Sequence, residues 1–213
     1  MAAAVEKAYN AIRDGIISGI YAAGKHLTTN DLATVTGLSR TPIREAMRLL
    51  HAEGLIQFIP NRGAFVNHLD ESEVEEIYRL RVLLEGHAAG AAAVSATEGQ
   101  LSELEDIAQR IDEIVTGGNP PDLEQIADLN NRFHKLIVIA AGSPRLESAL
   151  ASIIKIPLVL RTFQRYELAE LRRSAKQHLE LVSALRAHDA EWAKSVMASH
   201  ILSAQHALLR ATR

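Results

Sequence analysis

The stretch Gly37-Leu38-Ser39-Arg40-Thr41-Pro42-Ile43-Arg44-Glu45-Ala46, continued by Met47, Arg48, Leu49 and Leu50 and stopped by Gly54, decides how the first third of the chain folds. Ser39 is a good N-cap, and Pro42 is tolerated because it falls in the first turn, where its missing N–H costs nothing. A helix from there to about Glu53 would bury Ile43, Ala46, Met47, Leu49 and Leu50. Arg40, Arg44 and Arg48 then stand four residues apart on one shared face. Upstream, Leu32, Ala33 and Val35 mark a short helix at about 29–35, ended by Gly37. An earlier helix over 5–18 carries Val5, Ala8, Tyr9, Ile12, Ile16 and Ile17 at helical spacing and is broken by Gly19 and Gly24. Downstream, Leu55 to Ile59 and Ala64 to Val66 are short β-prone runs around Pro60-Asn61-Arg62-Gly63, a hairpin signal. The order of helix, helix, turn, helix and hairpin is that of a winged helix-turn-helix with a small β-hairpin wing.

From Asp70 onward the pattern is helical throughout. Asp70 and Glu73 suggest a capped start, and a helix follows to about Val94. Others are expected over 97–116, 122–141, from Pro144 onward with a break at Pro157, over 167–188 and over 189–210. About six antiparallel helices make a bundle. The fold class is therefore mainly α, with a winged helix-turn-helix over 1–69 and an all-α bundle over 70–213.

Composition sets the outer limits. Of 213 residues 47% are hydrophobic and 23% charged, ordinary for a globular protein, and aromatics are only 4%. There is no cysteine, which excludes disulfides and thiolate metal sites. No apolar run approaches the roughly 18 residues of a membrane span, and no basic-then-apolar leader opens the chain, so a cytoplasmic location with no membrane partner is expected. The net charge of −3 is unevenly spread. Through Leu69 there are seven Lys and Arg against five acids, so the negative balance lies wholly in the helical part.

An arginine face on a helix that can enter the major groove is suited to reading DNA. Arginine bonds the O6 and N7 of guanine through two N–H groups at once, worth about 1–3 kcal/mol of discrimination per good pair. Arg40, nearest the helix N-terminus, is best placed for a base edge. Thr41 suits a base or phosphate, Ser39 a phosphate. Arg62 and Gly63 at the hairpin tip suit a wing along the backbone or minor groove. The competing reading of the same residues is a solvated charged face.

Taken together, Gly37-Leu38-Ser39-Arg40-Thr41-Pro42-Ile43-Arg44-Glu45-Ala46, Glu53-Gly54-Leu55-Ile56 and Pro60-Asn61-Arg62-Gly63-Ala64-Phe65-Val66 closely resemble the GntR family of bacterial regulators over essentially all of the first 69 residues. The resemblance implies that Arg40, Thr41, Arg44 and Gly63 contact double-stranded DNA; some members carry a base-reading arginine where this chain has Asn30. Tyr78-Arg79-Leu80-Arg81, Glu85, Asn130-Asn131-Arg132-Phe133-His134, Ala140-Ala141-Gly142, His178 and His200 resemble the FCD effector domain of FadR-like members. Six helices suit the shorter, VanR-type group. The resemblance implies a homodimer on a pseudo-palindromic operator, with residues 70–213 serving effector binding and dimerisation.

Asn130 and His134 sit one helical turn apart, and His178 and His200 lie among residues expected to point inward. The resemblance makes His134, His178 and His200 a metal triad, with Asn130 where family members usually carry an aspartate ligand. Three neutral imidazoles, an oxygen donor and open positions suit Zn, Ni or a related divalent ion. Taken singly, each histidine is better read as a hydrogen-bonded core or surface residue. A cation with open positions accepts a carboxylate effector, and Arg81 and Arg161 are candidates to pair with it; alternatively Arg81 pairs with Glu85 and Arg161 is at the surface. The chain thus reads as a non-enzymatic repressor controlled by a small organic acid beside a metal. Two other readings are a metal sensor without organic ligand and a metal-dependent enzyme carrying a DNA-binding appendage. Against the enzyme, the helical part has no Glu-x-x-His pair, and no general base is expected beside the histidines.

Overall fold

A computed structural model describes residues 3–67, 71–118, 120–153, 162–163 and 165–210. The chain divides into two compact units, Met1–Asp70 and Glu71–Arg213.

The first unit runs α1 (Ala3–Ile17), β1 (His26–Leu27), α2 (Thr29–Thr36), α3 (Arg40–Ala52), β2 (Ile56–Ile59) and β3 (Gly63–Val66). The strands form an antiparallel sheet in the order β1-β3-β2, with His26 opposite Phe65 and Phe58 opposite Ala64. Two residues of strand are too few to show an alternating pattern, so β1 adds to the expected β2–β3 hairpin. Thr28 caps α2 by accepting from the Asp31 N–H, and Gly37 ends it in the left-handed conformation at φ 69°, its N–H bonded to the Ala33 carbonyl. Ser39 stands at the N-cap of α3 with extended backbone, yet its hydroxyl makes no capping bond. Ile12, Leu32, Ile43, Leu50 and Ile56 are fully buried and form the centre of a single core. Leu49, expected inside, is 37% exposed. It lies roughly 110° around the helix from the middle of the stripe of Ile43, Ala46, Met47 and Leu50.

Among the described residues the second unit holds six helices: α4 (Glu71–Ser95), α5 (Glu98–Thr116), α6 (Leu123–Ala140), α7 (Pro144–Ile153), α8 (Leu168–Arg186) and α9 (Ala190–Arg210). The expected cap at Asp70 and break at Pro157 lie outside the described residues. Thr97 and Gln100 form a capping box at α5, and Asp122 caps α6 by accepting from Glu124 and Gln125. α4 packs along α9, and α5 against α8 and α6. Small residues make the α4–α9 approach close. Ala88, Ala89, Ala92 and Ala93 are buried, and a Cβ on Gly90 would meet the Ala190 carbonyl at 3.2 Å. Phe133 and Tyr78 are the largest fully buried side chains. No helix among the described residues is long and apolar enough to cross a membrane.

Candidate functional site

Two places in the molecule gather chemistry, one in each unit. In the first, burying Ile43, Ala46, Met47 and Leu50 leaves Arg40, Thr41, Arg44 and Arg48 of α3 exposed, with Ser39 beside them. Arg62 and Gly63 are exposed at the β2–β3 turn, where the Arg62 guanidinium lies 5.7 Å from the centre of the Phe65 ring. A groove of about 390 Å³ runs between α3 and the wing, walled by His26, Thr28, Thr29, Arg44, Arg48 and Gly63 among others. Its polar lining is cationic and hydroxylic, with no acid, as a surface for phosphates requires. His26 had no role in the sequence reading. Its ring stacks on Phe65 at 4.7 Å, and its Nε2 occupies the space a Cβ on Gly63 would need. Gly63 has φ 96°, so glycine is required there by both backbone and neighbour. Only strand β1, invisible to periodicity, puts His26 in that place.

In the second unit, His134 from α6, His178 from α8 and His200 from α9 come together, all buried, with ligand atoms within 4.8 Å of one another. Each ring has a hydrogen-bond partner on its Nδ1 side. The Ser174 carbonyl can only accept, so Nδ1 of His178, 2.8 Å away, carries the proton. Nδ1 of His200 lies 3.3 Å from Gln177 Oε1, and Gln177 Nε2 donates to Ser199 Oγ at 3.2 Å. Nδ1 of His134 donates to a carboxylate oxygen of Glu85. The three Nε2 atoms converge on one another and on Asn130, and that of His178, whose proton is on Nδ1, holds a lone pair. His134 Nε2 lies 3.2 Å from His200 Nε2, and His178 Nε2 lies 3.1 Å from Asn130 Oδ1. Ring nitrogens and an amide oxygen brought this close in a buried space form an arrangement that a bound cation would stabilise. Burial foremost, with neighbouring His134, lowers the pKa of His178 to about 3. Burial and the other two rings push His200 well below the usual range, so both stay neutral and able to ligate. The donor set fits a borderline divalent ion.

Glu85 of α4 is the residue the sequence reading undervalued. It is 1% exposed; Oε1 accepts from Arg81 Nε at 2.7 Å, and the other oxygen accepts from His134. Burial would raise its pKa, but Arg81 and His134 bring it down to about 2, so the carboxylate is charged. A carboxylate thus does stand beside the histidines, contrary to expectation. Both of its oxygens are engaged, and it meets His134 on the Nδ1 side, away from the converging Nε2 atoms. Arg81, also buried, pairs with Glu85 and lies 5.0 Å from the centre of the Tyr78 ring. Arg161 lies outside the described residues.

Arg81, Asn130 and His200 share the wall of a cavity with Tyr78, Thr162 and Tyr166. The space is about 20 Å³, room for a water molecule or two. Tyr78 donates to or accepts from Thr162 at 2.8 Å. Burial foremost raises the pKa of both tyrosines, which keeps them as neutral hydroxyls. The cavity therefore offers a guanidinium and hydroxyls next to the histidine cluster.

Comparison with known proteins agrees with both halves. Residues 4–66 match the model of the gntR family of bacterial regulatory proteins, and residues 76–203 match that of the FCD domain. The HTH-type transcriptional regulator YdhC of Bacillus subtilis is 32% identical over 145 residues, 68% of this chain and 64% of that one. The HTH-type transcriptional repressor RspR of Escherichia coli is 26% identical over 200 residues, covering 92% of this chain and 85% of its own. Among solved structures, Escherichia coli McbR/YncC superposes with a TM-score of 0.74 at 24% identity over the full length of both chains, a likeness of fold.

Proposed function

Because the chain belongs to the GntR family of bacterial transcription regulators and carries an FCD domain, we propose that it is a repressor whose hold on its operator is controlled by a small organic acid sensed beside a divalent ion. Both family matches are to regulators and not to enzymes. Repression is the activity that the relative RspR is named for. In this reading residues 1–69 bind DNA and residues 70–213 bind the effector and pair two chains. Ser39, Arg40, Thr41, Arg44 and Arg48 of the α3 face approach the major groove, and Arg62 and Gly63 the backbone beside it. Two such units in a homodimer match the two halves of a pseudo-palindromic operator.

The observation that carries the sensing half is the convergence of three imidazoles and the Asn130 carbonyl oxygen, with Asn130 and His200 in the wall of a cavity that also presents Arg81. Asn130, His134, His178 and His200 would hold a Zn or Ni ion, which when bound supplies a Lewis acid for a carboxylate. Arg81 provides the second charge for such an anion, and Tyr78, Tyr166 and Thr162 provide hydroxyls for its oxygens. An acid held there changes operator occupancy only to the extent that it binds one arrangement of the dimer more tightly than another.

Two measurements test the two halves. In gel-shift titrations of the chain's own upstream region, Arg40→Ala and Arg44→Ala should each lose sequence-specific binding; undiminished binding by both removes this recognition face. Metal analysis of purified protein should find an ion in the wild type and not in His134→Ala/His178→Ala; equal metal in both removes the cluster as its ligand. The cavity volume of about 20 Å³ favours a second reading, a metal sensor with no organic ligand. Operator release by Zn²⁺ alone, with no further effect of a panel of carboxylates, would establish that alternative.

A further inference from the structure

Glu85 stands between the two charged parts of the site without facing the centre of either. On one side its Oε1 accepts from Arg81 Nε at 2.7 Å; on the other its second oxygen accepts from Nδ1 of His134. Its side chain is 1% exposed, so neither water nor a surface cation competes for it. Among the described residues Arg81 forms its ion pair with Glu85, and it also lines the cavity. Each partner therefore draws on the same negative charge. A carboxylate that accepts from the far nitrogen of a ligating histidine fixes the ring's orientation and raises its basicity. A carboxylate already held by Arg81 lowers that cation's attraction for any other anion.

We propose that Glu85 is a positioning residue that couples cation affinity at His134 to anion affinity at Arg81. The inference rests on the reading of the histidine cluster as a metal centre. It makes the two halves of the sensor respond to one charge in opposite directions. Neutralising Glu85 weakens the hold of His134 on a cation and frees Arg81 to hold an anion more tightly. A purely structural role would weaken both, since a loosened bundle loses both sites together.

The test uses the full chain stripped of metal with a chelator and dialysed. Co²⁺ is titrated in and followed by its visible d–d absorption, and Zn²⁺ affinity is measured against a chromophoric chelator. Glu85→Gln keeps an acceptor for His134 but removes the charge, and it should bind Zn²⁺ about 10–100-fold more weakly than wild type. With each protein saturated in Zn²⁺, formate, an anion small enough for the cavity, is then titrated against a chloride control of equal ionic strength. Glu85→Gln should bind formate more tightly than wild type does. Because this variant leaves a buried arginine without its counter-charge, Arg81→Met/Glu85→Gln is measured beside it. That variant should show the same loss of Zn²⁺ affinity and no gain in formate binding. Equal Zn²⁺ affinity in the wild type and both variants overturns the role of Glu85 while leaving the metal centre standing. Weaker formate binding by Glu85→Gln overturns the coupling. A wild type that binds neither Co²⁺ nor Zn²⁺ overturns both the coupling and the metal centre beneath it.

Discussion

Replacing Gly63 by alanine should destabilise the first unit by about 2–4 kcal/mol, and the structure divides that cost into two parts. The backbone at φ 96° is one that residues with a Cβ rarely adopt, which costs about 1–3 kcal/mol. The new Cβ would also lie 2.6 Å from His26 Nε2, well inside contact distance. The ring must then leave its stack on Phe65, now at 4.7 Å with 24° between planes, a loss of about 0.5–1.5 kcal/mol. For a unit of about seventy residues the sum corresponds to a fall in melting temperature of roughly 10–25 °C. Urea unfolding followed by circular dichroism gives the total. A double-mutant cycle with His26→Ala gives the partition, because removing the ring leaves only the backbone part. Gly63→Ala should therefore cost about 0.5–1.5 kcal/mol less on the His26→Ala background. Two results would refute this reasoning: a Gly63→Ala protein within about 0.5 kcal/mol of wild type, or an equal cost on both backgrounds.

Other consequences can be measured as directly. Arg48→Ala should weaken DNA binding on all sequences alike and lower the slope of log K against log salt by about 1, the signature of one lost phosphate contact. Phe133→Ala removes a fully buried ring that meets His178 edge-on at 4.8 Å, and urea unfolding should show a loss of about 3–5 kcal/mol. Chelation should lower the melting temperature of wild type, by the equivalent of about 2.7 kcal/mol where the free ion stands at a hundred times its Kd. It should leave His134→Ala/His178→Ala unchanged in a differential scanning measurement.

Helical periodicity was most legible where a helix has one wet and one dry side. On α3 the apolar stripe and the arginine face exclude each other, so assigning one assigned the other. Leu49 was misplaced because hydrophobicity alone does not give phase; the angle from Ile43 and Leu50 does. β1 left no trace in the pattern, since its two residues are held by pairing with β3 and not by any alternation of their own. Within the bundle, the inward positions of His178 and His200 followed from their apolar neighbours, whereas His134 was marked by its one-turn spacing from Asn130 and by the family resemblance. Glu85 was harder to place. Its pairing with Arg81 is local, four residues apart, whereas its bond to His134 spans 49 residues and depends on how α4 lies against α6. One signal was available: Tyr78, Arg81, Glu85, Ala88 and Ala92 fall on a single stripe of α4. Two opposite charges on a core stripe have to neutralise each other or serve a third group.

The histidine cluster gathers side chains from three helices, and the first and last of them are 66 residues apart along the chain. In polymer terms an ion held there is a cross-link, in a chain that has no cysteine to make a covalent one. It would close two successive loops, His134 to His178 and His178 to His200, and the long, costly closures gain most from such a tie. Loading the ion then tightens α6, α8 and α9 as one body, and amide hydrogen exchange should slow in all three helices together. Sensing and stiffening would be a single event, so an effector that changes how firmly the ion is held also changes how readily the bundle breathes.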